Sequence, residues 1–133
     1  MLQVTAAILK NNNQVLICQR PANKSCGLLW EFPGGKVEPH ETYEQCLIRE
    51  IQEELGVTIT DLKAFETVEL PEKDLCLHFF TARIQSGDLT RKEHASMEWV
   101  SRDELKNYTF CPSDTKMLEK ADLSLLFDQK NGD

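Results

Sequence analysis

The sequence predicts an α/β (α+β) fold, a mixed β-sheet with helices on its faces. Three observations carry that prediction. Short apolar runs rich in strand formers are bounded by turn signals, one segment reads as a well-capped amphipathic helix, and strands fall before, between and after the helices. The chain has 133 residues, of which 41% are apolar and 28% charged. That is the size and balance of one domain over residues 1–133, long enough to bury a core without staples.

Val4 to Leu9 and Val15 to Cys18 are strand-like runs on either side of Asn11-Asn12-Asn13, and together they read as a β-hairpin. Pro21 to Gly27 is a loop, and Leu28 to Phe32 a short extended piece stopped by Pro33-Gly34-Gly35. Thr42 to Leu55 is the strongest helix. Thr42 with Gln45 forms a capping box, and Gly56 sits at the C-cap position. Strands are expected at about Val57 to Leu70 and Leu75 to Ile84, split by Pro71-Glu72-Lys73-Asp74, with another turn at Ser86-Gly87-Asp88 and a short strand from Met97 to Val100. Ser101-Arg102-Asp103-Glu104 reads as a second capping box opening a helix to about Asn107. A last helix is expected from near Ser113 to Phe127. Only Gln129 to Asp133 reads as lacking packed structure.

Composition excludes several classes. No apolar run approaches the roughly 20 residues that span a bilayer, and the N-terminus lacks the basic-then-apolar pattern of a signal peptide. A cytoplasmic protein without membrane contact is expected. The five cysteines (Cys18, Cys26, Cys46, Cys76 and Cys111) are odd in number and show no C-x-x-C spacing, so they read as reduced thiols. Cys111 beside Pro112 could be a nucleophile, but no histidine lies near it in sequence. The net charge of −7 argues against binding long nucleic acid. It permits a small phosphorylated substrate, provided that a cation mediates between carboxylates and phosphate.

Glu50, Glu53 and Glu54 are spaced i, i+3, i+4 and fall on one helix face, while Leu47, Ile48, Ile51 and Leu55 fall on an adjacent face able to pack on the sheet. Like charges at this spacing cost roughly 0.2–0.5 kcal/mol per pair. A hard divalent cation would remove that cost and take oxygen ligands. On the three glutamates alone a solvated acidic face is the better reading.

The surrounding pattern changes the balance. Gly35, five residues, Glu41, seven residues, then Arg49-Glu50-Ile51-Gln52-Glu53-Glu54-Leu55-Gly56-Val57 resembles the Nudix box at every defined position. Agreement at so many positions is far more specific than a lone glycine motif. The resemblance implies a Nudix α/β/α sandwich and a hydrolase of diphosphate bonds that uses Mg²⁺, with Mn²⁺ as a substitute. It implies metal binding by the Gly34 carbonyl and by Glu50, Glu53 and Glu54, and an Arg49 that pairs with a box carboxylate, Glu41 being the expected partner. The general base would be Glu50, or else Glu93 outside the box.

Trp30-Glu31-Phe32-Pro33-Gly34-Gly35-Lys36-Val37-Glu38 looks like the signature of the MutT branch, and the likeness covers most of the chain. It implies sanitation of the nucleotide pool, and hence DNA repair, by hydrolysis of an oxidised nucleoside triphosphate such as 8-oxo-dGTP to the monophosphate and pyrophosphate. Arg20 matches an arginine near the nucleotide, Glu93 a glutamate that joins the metal site from a loop, and Trp99 a tryptophan of the following strand. Asp114 falls at the base-reading position, where the bacterial type has Asn. An ionised Asp offers only acceptors, which opens the alternative of a cytidine-type triphosphate. A first-turn helix acid is an equally good account of Asp114. Phe32 could line the base pocket, Phe79 or Phe80 could stack on the base, and Lys36 could contact phosphate. For the phenylalanines a core position, and for Lys36 a solvated surface, are the competing readings. His40, His78 and His94 have no metal spacing. ADP-ribose hydrolysis, a non-catalytic nucleotide-binding module and a calcium-binding acidic helix complete the alternatives, the last disfavoured because the chain has no D-x-D-x-D-G loop. The oligomeric state is left as monomer or homodimer.

Overall fold

The computed structural model describes residues 1–127, so the expected loose tail from Gln129 to Asp133 lies outside them. Seven strands form one sheet: β1 (Leu2–Asn11), β2 (Gln14–Gln19), β3 (Trp30–Glu31), β4 (Gly34–Lys36), β5 (Thr58–Leu70), β6 (Leu75–Ser86) and β7 (Ser96–Val100). The helices are α1 (Tyr43–Leu55) and α2 (Pro112–Lys120). Strand order along the main path is β3-β2-β1-β6-β5, with β4 paired to β1 and β7 to β2. β1 and β6 run parallel, from Leu2 opposite Leu75 to Leu9 opposite Ala82, and the other strand pairings are antiparallel. The sheet is mixed, as the sequence predicts.

Alternation along the central strands sorts the core into two layers. Ala6, Ile8, Val15, Ile17, Leu77 and Phe79 join Met117 of α2 on one face. Ala7, Leu9, Leu16, Cys18, Phe80 and Ala82 join Leu47, Ile51 and Leu55 of α1 on the other. A sheet buried on both faces needs a helical layer on each, and the two helices supply them.

The hairpin forms as expected, with Asn12 and Asn13 at positive φ in its turn. α1 has both halves of its capping box, and Gly56 closes it in the left-handed region, its N–H donating to the Gln52 carbonyl. Ile48 departs from expectation. It is 39% exposed, while Glu54 takes a buried position beside Leu55.

Four further expectations are corrected. Pro33-Gly34-Gly35 does not stop the chain, because Gly34–Lys36 pairs with β1 as β4. A Cβ at Gly34 would collide with the Thr5 carbonyl, so glycine is what lets the strands approach. The extended piece is shorter than Leu28 to Phe32, since Leu28 takes a positive φ and only Trp30–Glu31 pairs as β3. The segment Asp103–Asn107 is a 3₁₀ helix with half a capping box: the Ser101 N–H donates to Glu104 but no side chain caps it in return. α2 ends at Lys120 rather than Phe127. The Asp122 side chain accepts from Ser124 and opens a separate turn at Leu123–Leu125, which competes with continuation of the helix.

Candidate active site

The acidic helix runs alongside the edge formed by β4 and its loop. A Cβ at Gly35 would strike the Glu50 carboxylate, so this glycine lets α1 lay Glu50 directly against the backbone. Cys46, one turn earlier, is buried and lies 3.2 Å from the Thr5 hydroxyl. The three glutamates do not share one environment. The Glu53 side chain is 55% exposed, Glu50 17% and Glu54 9%.

Arg49 ties this face together. Its guanidinium makes two bonds to Glu41, at 2.6 and 3.0 Å, one to Glu50 at 3.0 Å and a longer one to Glu53 at 3.4 Å. It also donates to the Lys36 carbonyl, fastening the helix to β4. The double bond from Arg49, followed by the Glu38 amide, pulls the Glu41 carboxyl down to about 2. Glu41 is therefore the bidentate partner of Arg49.

Glu54 is driven the other way. Burial first, then a hydrogen bond and the charge of Glu50, raise its carboxyl well above the ordinary range. Its Oε1 is buried with no hydrogen-bond partner. Among the described residues, no three Asp, Glu, His or Cys side chains converge as a preformed metal site, and Arg49 bonds to both Glu50 and Glu53. In donor chemistry the residues suit a hard cation: all are oxygen donors, they crowd on one helix, and one buried oxygen lacks a partner.

A small cavity of about 90 Å³ lies against Glu54, lined by Arg20, Glu31, Gly34, Glu54, Glu93 and His94 among others. Glu93 arrives on the loop after β6. Backbone bonds from Thr90 to the Leu55 carbonyl and from Lys92 to the Glu54 carbonyl pin that loop to the end of α1, and Ala95 is held by the Gln19 carbonyl.

A second cavity, of about 310 Å³, shares Arg20, Glu31 and Gly34 with the first. That volume suits a small organic ligand. Arg20, Phe32, Lys36 and Asp114, each expected at a substrate site, all line it. Arg20 lies 3.1 Å from Glu31 and donates to the Ser25 carbonyl. Asp114, in the first turn of α2, is buried. Its Oδ1 accepts from the Phe32 amide at 3.0 Å and its Oδ2 lies 3.3 Å from the Ser113 hydroxyl. Burial raises its carboxyl to about 7, against the pull of the Phe32 amide. Asp114 is thus both a helix-start acid and a wall of the cavity.

Phe80 is a correction. It packs under α1 with Leu47, Ile51 and Leu55, while Phe79 packs with Phe32 in the opposite layer, and neither lines the cavity. Phe79 and Phe80 are both buried in the core layers, one on each face of β6, and neither presents a ring to the cavity that Leu75 and Leu77 of the same strand line. A larger hollow of about 620 Å³, near Lys10, Arg83 and Trp99, contains none of the residues expected at the site.

Glu31 and His94 were not placed at the site by their sequence positions. Glu31 links Arg20 to His94, and His94 Nε2 lies 2.9 Å from Glu31 and 3.9 Å from Glu54. Glu31 belongs to the Trp30–Glu38 stretch already singled out. His94 carries no spacing signal, because the contacts that define it come from other elements.

Comparison with known proteins follows the same outline. The NUDIX domain family matches residues 1–121. The CTP pyrophosphohydrolase of Escherichia coli (strain K12) is 38% identical over 121 residues, covering 90% of each chain. The 8-oxo-dGTP diphosphatase of the same organism is 35% identical over 122 residues, covering 90% of this chain and 95% of the relative. The solution structure of the E. coli ORF135 protein superimposes with a TM-score of 0.72 at 35% identity, over 100% of this chain and 95% of that one. A MutT structure from work on Aliivibrio salmonicida and Vibrio cholerae gives a TM-score of 0.74 at 32% identity, over 90% and 94%.

Proposed function

The chain belongs to the NUDIX family, and from that premise we propose that it is a MutT-like hydrolase that cleaves a nucleoside triphosphate to the monophosphate and pyrophosphate with a divalent cation. The observation that carries the reading is the junction of two cavities at Arg20, Glu31 and Gly34. One has the volume of a small-ligand site, and the other is lined by Glu54, whose buried Oε1 has no hydrogen-bond partner. Mg²⁺ is the proposed cation, with Mn²⁺ as substitute, and the cytosol the proposed compartment. No helix of the described residues is long and apolar enough to cross a membrane.

Glu50, Glu53, Glu54 and Glu93, with the Gly34 carbonyl, would hold the cation. When bound, it neutralises phosphate oxygens and lowers the pKa of a coordinated water. The protein does the rest by placement. Arg49 clamps Glu41 and restrains Glu50, and acts as a positioning residue. Glu50, or else Glu93, takes the proton from the attacking water. Arg20, Lys36, Phe32 and Asp114 line one cavity, where the first two would meet the polyphosphate and the last two the base.

The preferred substrate is an oxidised purine nucleotide such as 8-oxo-dGTP. With its carboxyl near 7, Asp114 carries a proton in a large share of molecules at neutral pH, so it can donate as well as accept. The same residue, ionised, would accept from the exocyclic amine of cytosine. The relative named a CTP pyrophosphohydrolase therefore supports a cytidine-type triphosphate as the second reading.

A panel of 8-oxo-dGTP, dGTP and CTP, with Mg²⁺ and then with chelator, tests both levels. Product identity is read by phosphorus NMR. Faster CTP turnover, with 8-oxo-dGTP no better than dGTP, removes the oxidised-purine reading. Turnover that survives chelation, or none on any triphosphate, removes the hydrolase mechanism.

A further inference from the structure

His94 lines the smaller cavity and bonds to Glu31, which lines both. The His94 side chain is only 5% exposed and bonds to Glu31 at 2.9 Å. The other Glu31 oxygen accepts from Arg20. A line of contacts therefore runs Arg20, Glu31, His94, Glu54, from the cavity that Asp114 walls to the buried end of the acidic helix. A carboxylate already accepting from arginine accepts again, so the hydrogen on the imidazole is assigned to Nε2. That leaves Nδ1 bare, buried and without a partner. Burying such an atom is costly. An apolar ring would fill the same space without that cost, so packing alone does not account for an imidazole here. The backbone on both sides is fixed: Lys92 is held by the Glu54 carbonyl and Ala95 by the Gln19 carbonyl.

We propose that His94 is a positioning residue whose Nε2–H holds Glu31 toward Arg20 while its ring walls in Glu54, locking the nucleotide cavity and the acidic helix into one geometry. The inference rests on the hydrolase reading for what fills the two cavities. Partners that orient ligating groups from behind typically change metal affinity or activity by about 10–100-fold when removed.

The test uses the full chain with His94→Phe and His94→Gln. Mn²⁺ affinity of the nucleotide-free protein is read by electron paramagnetic resonance, KM and kcat are read separately, and thermal unfolding is followed alongside. His94→Phe is expected to weaken Mn²⁺ binding and to raise KM, each by about tenfold or more. His94→Gln, whose amide donates from a similar place, is expected to recover most of both. Unchanged Mn²⁺ affinity and KM in the Phe variant, with only a lower melting temperature, would overturn the proposal. So would loss of Mn²⁺ binding that Gln does not recover, since the ring would then be a direct ligand. If the wild type turns over no triphosphate, the hydrolase reading fails by itself, and the Mn²⁺ measurement still decides whether His94 holds Glu54.

Discussion

The acidic flank of α1 and the wall of the larger cavity share Arg20, Glu31 and Gly34 at their border, yet they are built by opposite means. On α1 the groups come from one short stretch and are held by charge: Arg49 reaches Glu41, Glu50 and Glu53. In the cavity they come from β1, β3, β4, β6, the loop after β2 and α2 among others, and one buried carboxyl, Asp114, is held by one backbone amide and a hydroxyl. The first region is a device of local spacing and the second of tertiary juxtaposition. Chemistry shared by a family can reside in the first, and choice of substrate in the second.

The largest expected effect sharpens that division on the helix side. Glu53→Gln removes a charge from a mostly exposed side chain, so the fold should survive. Loss of a group proposed to hold the cation should lower kcat by about 10²-fold or more. Near-normal turnover in a folded Glu53→Gln protein would detach the acidic flank from catalysis.

A smaller effect is expected on the cavity side. Asp114→Asn keeps an acceptor for the Phe32 amide and adds a permanent donor. The ratio of kcat/KM for 8-oxo-dGTP to that for CTP should rise by about tenfold. In the wild type that ratio should drift as pH crosses about 7, where Asp114 loses its proton, whereas the Asn variant should show no drift. A ratio indifferent to both changes would reduce Asp114 to a helix anchor and erase the contrast between the two regions.

The smallest effect is on stability. The Glu41 carboxyl is lowered to about 2 in the folded chain, against an ordinary value near 4.5. Its pairing with Arg49 therefore stabilises fully above about pH 4.5 and is lost as pH falls from there through about 2. Melting temperatures of Glu41→Gln and wild type should differ at pH 7 and converge across that window. A constant gap would mean that the ion pair is not what Glu41 contributes.

The same contrast explains what could be read in advance. The hairpin and the caps of α1 depend on residues close in sequence, so turn chemistry and spacing reveal them, while the partnership of Arg49 with Glu41 was legible only through the resemblance to the Nudix box. The pairing of Gly34–Lys36 with β1 was hidden, because its two glycines look like a chain stop until Thr5 is opposite them. Phe80 was misplaced because strand alternation does not tell whether a second helix covers the far face. Ile48 lost its core position to Glu54, a residue whose burial makes sense only beside His94 and the loop that carries Glu93.

The parallel pairing of β1 with β6 has a consequence for how the chain assembles. During synthesis the β1–β2 hairpin can form early, but Leu2 must wait for Leu75, and Leu9 for Ala82, before the sheet has its centre. Pairings between such distant segments slow folding and leave apolar strand edges open in the meantime. The nascent protein passes through a vulnerable interval that ends only when the sixth strand has left the ribosome.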